Sequence, residues 1–164
     1  LFSPLVADTT TYEYTYIVSG LTPVSTVVIG SYTIVDYTAG TLSIYEDSKA
    51  AGTAAAYGNA PPNGTAPGTF TDGTLFLTGT LGGFQFVYNA ATNTGSYNAT
   101  FTVTGGSQIV NFPLYQRDGW TFAGLSGNAT VVPDGYWHQV DGQNFLGPVP
   151  ARASSWGGIK TLYR

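Results

Sequence analysis

A chain of 164 residues with a formal net charge of −4 has the size of one ordinary domain, enough to bury a core without disulfide or metal staples. It contains no cysteine, which excludes a disulfide framework and a thiolate metal site. Charged residues make up only 9% of it, and the cations Lys49, Arg117, Arg152, Lys160 and Arg164 are too few for a phosphate-binding face, so no nucleic-acid partner is expected.

The first segment, Leu1–Ala7 (LFSPLVA), is apolar and uncharged, and could add as a strand to a neighbouring subunit's sheet. The chain opens at Leu1 and holds no Met, which suggests a removed secretory signal. Thr11–Ser19 (TYEYTYIVS) alternates as a strand should, with Tyr12, Tyr14, Tyr16 and Val18 on one face. Because Glu13 would be costly to bury unpaired, the tyrosine face is expected to point inward. Val24–Val35 reads as one long strand bent at Gly30 or two strands meeting there, and Gly40–Tyr45 as another.

Residues 46–67 read as a long surface loop inside one domain, with turn signals densest in Asn59–Pro67 (NAPPNGTAP). Thr74–Thr80 and Phe84–Tyr88 then pair as a hairpin around Leu81-Gly82-Gly83. Asn89–Gly95 is a turn before Ser96–Thr104, where Tyr97, Phe101 and Val103 should face inward and Asn98, Thr100 and Thr102 outward. Ser107–Leu114, Trp120–Ala123, Asn128–Val132 and Tyr136–Val140 complete the strand set, and Asp-Gly pairs at Asp72, Asp118, Asp134 and Asp141 mark tight turns. About ten short strands at this spacing point to a single all-β domain over residues 1–164. An antiparallel β-sandwich of jelly-roll or immunoglobulin-like type is the expectation, with a barrel as the alternative.

Chemistry needs titratable groups that converge, and few are available. The one histidine, His138, follows the aromatics Tyr136 and Trp137, has no G-x-S-x-G partner motif and reads as a packed or surface residue. Two carboxylates could in principle serve a hydrolase, but their spacing singles out no pair. No cofactor is expected. A structural Ca²⁺ could draw oxygen ligands from Glu46-Asp47, or from Asp134 with Asp141.

Carbohydrate is the other use for an aromatic surface. Trp120, Trp137 and Trp156 could stack on sugar rings, although aromatics more often fill a core. Three sequons make Asn63, Asn98 and Asn128 candidate glycosylation sites in an exported protein. No window is apolar for long enough to form a membrane-spanning helix.

Phe70–Gly79 (FTDGTLFLTG), Gly83–Thr100 (GFQFVYNAATNTGSYNAT) and Thr104–Gly106 (TGG) are similar to segments of bacterial exported proteins of the PEP-CTERM class. The resemblance implies a Cys-poor, Thr/Gly-rich surface or matrix protein, sorted by an exosortase in bacteria that make exopolysaccharide. It implies no catalytic residue, because the class shares no active site. The class also carries a C-terminal Pro-Glu-Pro signal, a transmembrane segment and a basic tail, none of which occurs in Gly147–Arg164.

The sequence therefore leads to an extracellular, non-enzymatic structural protein of the cell surface or matrix, such as the subunit of a fibre or sheath, with self-association or surface glycans as partners. A carbohydrate-binding or adhesive module is the alternative, and a glycan-active hydrolase the third reading.

Overall fold

A computed structural model describes residues 11–48, 67–126 and 140–145, which form one antiparallel sheet of eight strands. The strands are β1 (Tyr12–Ser19), β2 (Pro23–Ile29), β3 (Tyr32–Tyr37), β4 (Gly40–Ser48), β5 (Thr74–Asn89), β6 (Thr94–Gly105), β7 (Trp120–Ser126) and β8 (Asp141–Phe145). β1 and β2 lie end to end against β4 and β3, which lie end to end against the long β5. β6, β7 and β8 follow in order. The sheet is thus an up-and-down meander.

The sheet is strongly curled. The ring of Tyr16 on β1 meets that of Phe122 on β7 at 5.5 Å, although β4, β5 and β6 lie between them. In a flat sheet those four strand intervals would span about 19 Å. The described strands therefore make a half-barrel of one sheet, not the two facing layers of the expected sandwich.

The core fills the hollow. Tyr97, Ala99, Phe101 and Val103 alternate along β6 with exposed or half-exposed residues, and all four are buried. Leu42, Leu77, Leu81, Phe86, Trp120 and Phe122 reach the same side from neighbouring strands. Aromatic rings are the main filler. Phe84 stacks on Tyr97 at 5.6 Å and Phe101 meets Trp120 edge-on at 6.1 Å, geometries that suit ring quadrupoles.

The expected inward faces of β1 and β6 are observed in most positions, with Tyr12, Glu13 and Thr102 half-buried. Tyr14, Tyr16 and Val18 pack against the core, while Asn98 and Thr100 face solvent. β1 differs in one respect: Thr15, on the other face, is also buried and donates its hydroxyl to the Phe70 carbonyl at 2.8 Å. A 3-10 turn at Pro67–Phe70 covers that side.

Several local expectations are corrected. Thr74–Tyr88 is not a hairpin: the Gly82-Gly83 pair is a bulge, with Gly83 at φ +60°, that bends one continuous β5. Ser107–Leu114 is not a strand but two 3-10 turns, Ile109–Asn111 and Leu114–Gln116. There the N–H groups of Ser107 and Gln108 bond to the carbonyls of Leu75 and Phe76, which turns the chain off the sheet. Asp72-Gly73 is a bend before β5, and Asp141-Gly142 opens β8 instead of a turn. Glu46–Ser48 belongs to β4 and Pro67 to a 3-10 turn, and residues 49–66 of the loop expected over 46–67 lie outside the described residues. Leu1–Ala7, Asn128–Val132 and residues 136–139 of the last expected strand lie outside the described residues.

Candidate functional site

The outer face of the sheet is tiled with hydroxyls. Ser19, Thr41, Thr80 and Thr102 are register partners in one row across β1, β4, β5 and β6. Thr100 and Thr121 sit side by side in the next row. Alternation puts them on one face because the other face of each strand holds the core. Ser43 and Thr78 share a hydrogen bond of 2.9 Å, and Thr100 donates to the Gly82 carbonyl at 3.0 Å. Such a surface can hydrogen-bond to water or a neutral polar partner, and the carboxylates Glu13 and Asp47 are register partners at its β1–β4 end.

At the other end of the molecule, β2 and β3 form an arm closed by Gly30 (φ +60°) and Ser31. Every residue of β2 is exposed, with Val24, Val27, Val28 and Ile29 between 49% and 68%. Among the described strands β2 has one neighbour, β3. Inside the arm, Ser25 and Gln85 donate to the Asp36 carboxylate at 2.6 and 2.8 Å. Those two bonds hold the Asp36 carboxyl below the usual carboxylate range against a smaller opposing effect of burial.

The connection between β6 and β7 is a third surface. Arg117 donates from Nε to the Phe112 carbonyl at 2.8 Å, and Trp120 donates its indole N–H to the Gln116 carbonyl at 2.6 Å. The Arg117 carbonyl accepts from the Val103 N–H at 2.7 Å. On that braced scaffold Val110, Leu114 and Tyr115 point outward, 82%, 78% and 55% exposed.

The residues singled out from sequence fare unequally. Trp120 is a core residue, packed on Phe101 and Phe112, and offers no open face to a sugar. Asn98 stands exposed on the outer face, with Thr100 of its sequon exposed on the same side. Glu46 accepts from the Tyr14 hydroxyl at 2.7 Å and Asp47 from the Ser48 N–H at 2.8 Å. As neighbours in a strand they face opposite ways, so the two carboxylates do not converge. No group of three metal-ligating side chains comes together among the described residues. Trp137, Trp156, Asn63, Asn128, His138 and Asp134 lie outside them, as does the side chain of Asp141.

The open β2 edge was missed in the sequence, although Val24–Ile29 (VSTVVI) carries a signal for it. A strand without charge and apolar on both faces is either buried on both sides or exposed as an edge. Comparison with protein-family models, curated proteins and solved structures found no match.

Proposed function

We propose that the protein is an extracellular structural component of a cell surface or matrix, working through its surfaces and performing no catalytic step. The observation that carries this reading is the outer face, where rows of Ser and Thr prevail and the carboxylate pair of Glu13 and Asp47 sits at one end. Neutral hydroxyls hydrate a surface without the self-repulsion of like charges and match a hydroxyl-rich polysaccharide surrounding. The resemblance of residues 70–106 to exported PEP-CTERM proteins supports the same placement. Immunogold labelling of intact cells tests it: label on the surface or in the matrix is expected, and label confined to the cytoplasm would refute it.

A carbohydrate-binding role is the second reading, favoured by Tyr115, whose ring stands exposed on the braced β6–β7 connection. One ring is fewer than a sugar platform normally uses. Tyr115→Ala should abolish glycan retention if this reading holds, and retention unchanged by that substitution removes it.

A further inference from the structure

We propose that β2 is a homodimerisation edge, pairing antiparallel with β2 of a second copy about a two-fold axis at Thr26. The inference goes beyond the surface role, and a cytoplasmic location would leave it intact.

The backbone fixes which groups are free. The Ser31 carbonyl accepts from the Ala90 N–H at 2.8 Å, so Ser31 points toward β5. The Thr38 N–H donates to the Thr22 carbonyl at 2.9 Å, on the opposite side. Backbone polar groups alternate along a strand, so Tyr32, Ile34 and Asp36 point to β2. Their register partners Ile29, Val27 and Ser25 must point back. That directs the N–H and C=O groups of Thr26 and Val28 to the edge with which no other described strand pairs. Val24 has no register partner on β3.

The sequence of β2 fits a copy of itself around this centre. Thr26 would face Thr26 of the second copy as a hydrogen-bonded pair, and Val24 would face Val28. Ser25 would face Val27, and Pro23 would face Ile29. Threonine pairs and β-branched aliphatic pairs are favourable cross-strand neighbours. No like charges meet along the seam, since Val24–Ile29 has none. The nearest carboxylate, Asp36, lies one strand back, so the two copies hold theirs three strand spacings apart, about 14 Å. That exceeds the screening length of roughly 8 Å at physiological salt.

An edge built for sheet-bounded monomers is normally blunted by Lys, Pro or a covering loop. Here the strand carries only Pro23, at its first position. A second copy is the occupant that this symmetric register selects. Because one surface pairs with itself, the contact closes at two copies and does not propagate into a fibre.

Analytical ultracentrifugation of the full chain over a concentration series tests the idea, together with amide exchange. The mass should rise to twice that of one chain and stop there. Amides of Thr26 and Val28 should gain protection in step with dimer formation, while those of Ser25, Val27 and Ile29 stay protected throughout. Val28→Lys places two ammonium groups in the seam and should weaken association roughly tenfold or more, because symmetry counts each substitution twice. Thr26→Pro removes an N–H that points away from β3 and that no other described strand accepts, and should act likewise. Thr121→Lys, on the outer face away from the arm, should leave association unchanged. A single-chain mass at every concentration, growth past two copies, or Thr26 and Val28 amides that never gain protection would each overturn the proposal.

Discussion

Phe101→Ala and Thr102→Ala, two adjacent positions on β6, decide whether the core occupies the hollow of the half-barrel. Phe101 is 0% exposed and faces Leu81 on one side and Trp120 on the other. Its removal leaves a cavity that neighbouring aromatic rings cannot fill, since each is fixed in its own contact, and the cost should be about 3–5 kcal/mol. For a chain of this size that corresponds to a fall in melting temperature of roughly 6–20 °C. Thr102 belongs to the outer hydroxyl row, and its alanine variant should stay within about 0.5 kcal/mol of the parent. Urea unfolding followed by near-ultraviolet circular dichroism measures both, with equal denaturant slopes as the condition for comparing midpoints. Equal losses at the two positions, or a larger loss at Thr102, would refute the assignment of faces and with it the register of the sheet.

Three further outcomes follow from single contacts. A Cβ on Gly142 would clash with the Tyr97 hydroxyl, so Gly142→Ala should lower stability, and Tyr97→Phe in the same chain should restore part of the loss in a thermal melt. Tyr16 donates to the Val140 carbonyl and shares a 3.0 Å bond with Tyr97, so Tyr16→Phe should cost about 1–2 kcal/mol by denaturant unfolding. Asp36 has a folded-state pKa below its unfolded value, so its contribution is present above pH 4 or so and lost as pH falls through the folded value. Asp36→Asn should therefore lower the melting temperature at pH 7 and do so progressively less as the pH falls below 4 or so.

Much of the strand structure was legible in the sequence because it is written in a period of two. The alternation of Tyr14, Tyr16 and Val18 in β1, and of Tyr97, Phe101 and Val103 in β6, marks their buried faces without any tertiary knowledge. The Asn89–Gly95 turn was equally readable, since Ala90–Asn93 close the β5–β6 hairpin there, with Asn93 at φ +53°. The sequence also showed how few charges there are to work with, and so what kind of surface the sheet would present.

Where local chemistry allowed two outcomes, only the tertiary structure chose between them. Gly82-Gly83 suits a turn or a bulge equally well, and continuous pairing of β5 with β4, β3 and β6 made it a bulge. Trp120 could have faced solvent or the core, and the curl that brings Phe101 and Phe112 against it fixed the second. Strand alternation specifies which side chains share a face, but not how far the sheet bends or which strand is left at its edge. Curvature arises from bulges and from rings meeting across the hollow, as Tyr16 meets Phe122. The edge position of β2 follows from strand order, because β1 and β2 lie end to end on the first side of the meander and each pairs with one described strand, β4 and β3.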